Sequence, residues 1–150
     1  MHSSRLIVCE KTSHWAAALR ACLGGRQPRI VETRSLVNCE DALSQSPAGV
    51  VALETTPANL DAILSFIASI NNRFPRASIV VLLTADAASA AALLREAGAI
   101  DVVASVLELP RVTRLARRKL RQTAGEPLSL HQFVAERLPW PAHATESAAR

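Results

Sequence analysis

Five short stretches of this 150-residue chain hold most of the side chains that could do chemistry, and each directly follows an apolar run. They are Glu10-Lys11, Arg34-Ser35, Glu54-Thr55-Thr56, Thr84-Ala85-Asp86 and Ser105. Glu10 and Glu54 offer carboxylates, the hard oxygen ligands that a divalent cation demands. Thr84 and Ser105 offer hydroxyls, and Lys11 places an ammonium beside the first carboxylate. Arg34-Ser35 says least. Other chemistry is missing from the pattern: there is no GxGxxG, Walker loop, GxSxG or HExxH. Gly24-Gly25 follows a helical segment, whereas a phosphate cradle opens one at a strand exit. Cys9, Cys22 and Cys39 show no CxxC or Cys/His spacing, and His2, His14, His131 and His143 are scattered. Neither a zinc site nor a disulfide framework is expected, and the thiols are read as small buried hydrophobes. No metal and no cofactor is implied.

These stretches must be positioned by the elements before them, and strands alternate with helices along the chain. Arg5–Cys9 (RLIVC) is a continuous apolar strand of the kind buried on both faces in a parallel sheet. Thr12 or Ser13 is expected to cap a helix with Trp15, Ala18, Leu19 and Cys22 inward, stopped by Gly24-Gly25. Arg29–Thr33 (RIVET) is a more polar strand, suited to an edge. Ser35 caps a short helix with Leu36, Cys39 and Leu43 inward. Gly49–Leu53 is the third strand, with Glu54 to Pro57 leaving its end. A longer helix then starts near Asn59, with Ile63, Phe66, Ile67 and Ile70 at helical spacing, and Pro75 closes that unit. Ser78–Leu83 (SIVVLL) is the most hydrophobic strand. Asp86 is expected to cap an Ala-rich helix with Ala90, Leu93, Leu94 and Ala97 inward, ended by Gly98. Ile100–Ala104 is the fifth strand, and Pro110 suits the first turn of a fifth helix. This is a (βα)5 pattern: an α/β, flavodoxin-like, three-layer sandwich around a five-stranded parallel sheet. In such a sheet the functional crevice lies beyond the carboxyl ends of the strands, where the five stretches fall.

Length and composition agree with one domain. Nearly half the residues are apolar (49%), and with two Trp, three Phe and no Tyr the core must be aliphatic. The net charge of +4 is one local feature: residues 1–110 carry 9 basic and 10 acidic side chains, whereas 111–121 (RVTRLARRKLR) carry six basic and none acidic. Arg111, Arg114, Arg117, Arg118 and Arg121 flank an apolar stripe of Val112, Leu115, Ala116 and Leu120. The plainest reading is a solvated outer face of an amphipathic helix, and a protein-binding face comes next. A basic helix without interleaved aromatics is a weak signal for nucleic acid or membrane.

The layout over residues 5–121 resembles the receiver domain of two-component response regulators. LREAGAIDVVAS (94–105) and VVLLTA (80–85) carry the resemblance most directly. Receivers hold Mg²⁺ with an acidic pair after the first strand and a phospho-accepting Asp after the third. A Thr or Ser after the fourth strand and a Lys after the fifth contact the phosphoryl oxygens. Carried over, Glu10 matches the first acid, Lys11 stands where the second acid should be, and Glu54 falls on or next to the phospho-acceptor position. Thr84 matches the hydroxyl, with Ala85 after it as usual. Ser105 replaces the Lys, Val106 the Pro after it, and Val102 the switching aromatic.

Those departures set the functional expectation. Lys11 would repel a cation, Glu54 is one methylene longer than Asp, and without a basic group at 105 nothing compensates developing phosphoryl charge. The expected protein is a degenerate pseudo-receiver, not an enzyme, acting as a signalling adaptor through protein contacts without phosphorylation. The alternative is an atypical phospho-accepting receiver. Glu54 could imitate a permanently phosphorylated state, but a solvated or Lys11-paired carboxylate is the simpler reading. Thr84 is read as a cap for the following helix.

Domain 1–121 is followed by a linker and short amphipathic docking segment (122–141), then a tail (142–150) too poor in apolar residues to fold. Phe133 and Trp140 join Arg114, Arg117 and Arg118 as partner-binding candidates. The expected partner is a protein with an acidic surface, and a homodimer through the fourth helix, fifth strand and fifth helix is the other form such contact could take. Nucleic acid is disfavoured. With no signal peptide and no apolar run of spanning length, no membrane is expected and the location is cytoplasmic.

Overall fold

The computed structural model describes residues 5–124. The five apolar runs form β1 (Arg5–Cys9), β2 (Arg29–Thr33), β3 (Val50–Thr55), β4 (Ser78–Leu83) and β5 (Asp101–Val103). All pair in parallel, in the order β2-β1-β3-β4-β5, with Leu6 opposite Val50 and Val81 opposite Val102. The helices are α1 (His14–Leu23), α2 (Leu36–Ser44), α3 (Leu60–Arg73), α4 (Ala91–Ala97) and α5 (Leu109–Ala124). This is the flavodoxin-like (βα)5 sandwich that the alternation implies, with the more polar β2 on one edge.

Strand alternation divides the core in two. Leu6, Val8, Val50, Ala52, Val80 and Leu82 meet Trp15, Leu19, Leu109 and Val112 beneath α1 and α5. Ile7, Cys9, Val51, Leu53, Ile79 and Val81 meet Cys39, Ile63, Ile67, Ile70 and Leu94 beneath α2, α3 and α4. Both layers are almost wholly aliphatic. Gly98 ends α4 at φ +120°, and a side chain there would collide with the Asn71 amide, which donates to the Ala97 carbonyl at 3.2 Å.

Several local expectations are corrected. β3 runs on to Thr55, so Glu54 sits within the strand opposite Leu82 instead of in the loop beyond it. β5 is three residues long, shorter than the 100–104 run. Cys22 is exposed, and Leu23 takes its place in the α1 core face. Asp86 lies inside a 3-10 turn, Ala85–Ala90, that precedes α4, and Leu93 is exposed. On α5 the buried positions are Leu109, Val112, Thr113 and Ala116, while Leu115 and Leu120 are half-buried. α5 continues to Ala124, three residues past 121.

Candidate functional site

The carboxyl ends of β1, β2 and β3 frame a small cavity of about 160 Å³, lined by Cys9, Glu10, Lys11, Arg34, Glu54 and Asn59 among others. Thr84 and Ser105 do not line it. The crevice residues matched by sequence thus divide into one cluster at β1/β3 and two separate positions.

Glu10 is the most constrained of them. It is 3% exposed, and its two carboxylate oxygens each accept one backbone N–H, from Trp15 and Ala16, both at 2.8 Å. These are orphan donors at the start of α1, and a negative charge there also faces the positive end of the helix dipole. Ser13 occupies the N-cap position but makes no side-chain cap bond, so Glu10 does from the strand exit what Thr12 or Ser13 was expected to do.

Arg34, at the least informative exit, ties this corner together. Its guanidinium donates to the Glu10 carbonyl (3.2 Å), to Ser13 Oγ (2.7 Å) and to Glu32 Oε2 (2.9 Å). Arg20 pairs with the same carboxylate. The Arg20 and Ser13 hydrogen bonds, reinforced by the Arg20 and Arg34 charges, hold Glu32 below its ordinary pKa against a small opposing effect of burial. No sequence motif marks Arg34; only its place at the end of an edge strand could have suggested it. Asn59 was equally hidden. Instead of capping α3 with its side chain, it accepts from Thr56 N (2.8 Å) and donates to the Glu54 carbonyl (3.1 Å), clamping the β3 exit.

Glu54 is half-buried, and its carboxylate makes no hydrogen bond or ion pair among the described residues. The expected Lys11 pairing is therefore not a contact ion pair. Burial raises its pKa above the ordinary 4.5, the Glu10 charge adds to the rise, and Lys11 and His14 oppose it.

The two remaining hydroxyls serve the chain's own structure. Thr84 Oγ1 donates to the Thr55 carbonyl (3.3 Å) and to Asp86 Oδ1 (2.5 Å), linking β3 to the turn after β4. It makes no cap bond, which corrects the capping role expected of it. Ser105 forms a capping box: its Oγ accepts from Leu107 N at 3.2 Å, and Glu108 Oε2 accepts from Ser105 N at 3.1 Å.

The residues do not fit Mg²⁺. The one buried carboxylate among the described residues has each oxygen committed to a backbone amide of α1, an ammonium stands in the second acidic position, and Glu54 is the other carboxylate at the crevice. Among the described residues, no three His, Cys, Asp or Glu side chains gather as metal ligands.

At the other side of the sheet, α5 and β5 border a larger open groove of about 660 Å³, lined by Ile100, Asp101, Arg111, Arg114, Leu115, Arg117, Arg118 and Arg121. Arg111 is held by Asp101 in a two-point contact (3.0 and 3.2 Å) and by Glu108 (3.3 Å). Arg117 reaches the Leu23 carbonyl at the end of α1 (3.4 Å), so this candidate helps join α5 to α1. Arg114, Arg118 and Arg121 have no hydrogen-bond or ion-pair partner among the described residues. Ile100 (53% exposed) lines the groove with them, and Leu93, Val106 and Leu107 (86%) are exposed apolar side chains elsewhere on α4 and at the β5 exit. Phe133 and Trp140 lie outside the described residues, as do the linker and tail from 125 onward.

The fold is the one seen in response-regulator receiver domains. A CheY-like protein (tadZ) from Pseudomonas aeruginosa superposes with a TM-score of 0.65 at 19% identity, over 77% of this chain and 98% of that one. An orphan response regulator of H. pylori gives 0.61 at 20%, over 80% and 98%. A CheY-like receiver domain protein from Methanospirillum hungatei gives 0.60 at 21%, over 81% and 99%. At these identities the likeness establishes the fold and leaves the chemistry to the residues. No protein-family model matches the sequence, and no curated protein matches it. Among the described residues no helix is long and apolar enough to cross a membrane.

Proposed function

We propose that this chain is a pseudo-receiver: a non-catalytic signalling adaptor of the two-component type that works by protein contact without being phosphorylated. The observation that carries this reading is Glu10. A carboxylate that would have to bind metal is instead buried with both oxygens on the first amides of α1. Freeing it would uncap a helix, so metal binding and folding compete for the same two atoms. Lys11 and the Ser105 capping box support the reading from two further positions.

The contact face we assign is the one around α4, β5 and α5, and its occupant is a protein with an acidic surface. Arg114, Arg118 and Arg121, without a partner among the described residues, line one groove with exposed Ile100, the combination that steers and then anchors a partner. A symmetric dimer through this face would set the same Arg row against itself, which disfavours a second copy as occupant.

The phosphorylation half is tested with acetyl phosphate and Mg²⁺. The intact mass should not change, and a magnesium titration should leave the amide signals of residues 10, 54 and 84 in place. A phosphoryl adduct on Glu54 or Thr84 would replace this reading with that of an atypical phospho-accepting receiver. On the contact face, Arg114→Glu with Arg118→Glu should slow association with an acidic partner about tenfold at low salt. The difference should shrink as salt is raised. An on-rate unchanged at every ionic strength would remove α5 from the interface.

A further inference from the structure

We infer that the groove along α5 is a binding site for a small ligand carrying a di- or triphosphate group, held by the guanidiniums of Arg114, Arg117, Arg118 and Arg121. The groove has a volume of about 660 Å³, within the size range of small-molecule sites. Five arginines and one acid, Asp101, line it, which leaves an excess of four positive charges. Asp101 is already committed to Arg111, which it meets at two points. No acid stands anywhere on α5 from Leu109 to Ala124, so the helix has nothing of its own to offset the row.

An anion would relieve the repulsion that this creates. Arg114 lies three residues from Arg117 and four from Arg118, and Arg121 lies three from Arg118 and four from Arg117, so like charges adjoin on the helix surface. A polyphosphate brings several negative charges to them at once, and the guanidinium fork suits it: two parallel N–H groups meet two oxygens of one phosphoryl group. Part of the site is already ordered. Arg111 is held by Asp101 and Glu108, and Arg117 is anchored by one Nη2 contact to the Leu23 carbonyl. A donor oriented beforehand loses less freedom on binding. Exposed Ile100 and half-buried Leu115 give the same groove an apolar wall, where the flat base of a nucleotide would lie. A nucleoside triphosphate and inorganic tripolyphosphate offer the same phosphate chemistry, and the wall favours the nucleotide.

The site goes beyond the adaptor reading, because the chain alone suffices to bind the ligand. The acidic partner assigned to this face would use the same guanidiniums, so a bound ligand would exclude it. That consequence, unlike the site itself, rests on the proposed contact face.

The test titrates the full chain with ATP, with inorganic tripolyphosphate and with a glutamate-rich peptide, in separate arms at about 0.15 M salt without Mg²⁺. Calorimetry and amide chemical shifts are read together. ATP and tripolyphosphate should each bind one per chain and move the amides of residues 100, 101 and 111–121. Tighter binding of ATP would name the nucleotide as the source, and equal binding would name the phosphate chain alone. Arg114→Lys with Arg118→Lys keeps the charge but loses the fork, and should weaken both ligands about tenfold. Binding that this variant leaves unchanged, or that never saturates, would reduce the row to diffuse attraction and overturn the inference. Shifts centred on residues 10, 11 and 54 would do the same by placing the ligand in the crevice. A peptide that moves the α5 amides where neither phosphate does would overturn the inference and leave the acidic-partner reading standing. Phosphate binding without peptide binding would support the inference and count against that partner.

Discussion

The β1/β3 crevice and the α5 face treat their charged groups in opposite ways. In the crevice three of the polar side chains are held within the chain: Glu10 on α1, Arg34 on Glu10, Ser13 and Glu32, Asn59 on the β3 exit. On α5, Arg114, Arg118 and Arg121 hold nothing among the described residues, and exposed Ile100 lies in the same groove. A site kept for reaction leaves ligating atoms available and accepts a loss of stability in doing so. By that measure the crevice is built as structure, and the availability has moved to the helix face.

Mutations can break this contrast. The largest effect should come from Glu10→Ala, which removes two charge-assisted hydrogen bonds and leaves two buried amides unsatisfied. Chemical denaturation should show a loss of about 3 kcal/mol. Were Glu10 a reserved ligand, its removal would be neutral or stabilising. Ser105→Ala should cost about 1 kcal/mol through the lost cap, and an unchanged midpoint would mean the capping box contributes nothing.

Glu54→Gln sharpens the comparison in the other direction. A carboxyl whose pKa is raised on folding costs stability once ionised. That cost is absent well below pH 4.5, where folded and unfolded chains are both protonated, and grows as pH rises through the higher folded value. The glutamine variant should therefore melt about 2 °C higher at pH 7, a few tenths of a kcal/mol, and no higher at pH 3. An equal gain at both pH values would point to packing instead of charge. The smallest effect belongs to Arg114→Ala and Arg118→Ala, which should change stability by less than about 0.5 kcal/mol each. A larger loss would show that these side chains brace the fold.

The strands were legible because each is a short, uninterrupted aliphatic run, and their parallel order followed from the alternation with helices. Glycine at the ends of α1 and α4 was legible for the same reason: few residues accept those backbone angles. The crevice was legible only as a set of positions. Which partner each side chain takes depends on contacts distant in sequence, such as Arg34 to Glu10 and Asn59 to Glu54, and periodicity carries no trace of them. Ser13 and Thr84 show the same limit. Each has the composition of a cap, but the Glu10 carboxylate accepts the α1 amides in place of Ser13, and Thr84 turns its hydroxyl to the Thr55 carbonyl on the next strand.

The brevity of β5 bears on how any partner can be read. Three residues of edge strand expose too few backbone groups to template an added strand, so recognition has to be written in side chains. On α5, Arg114, Arg118 and Arg121, without a partner among the described residues, stand at steps of four and three residues along one helix face. At 1.5 Å per residue they mark a ruler of about 6 and then 4.5 Å along the axis. A helix of opposite charge with acids at the same two steps would match that ruler tooth for tooth. A helix with its acids shifted by one residue would turn them off the line. Partner choice on this face would then rest on the spacing of charges more than on their number.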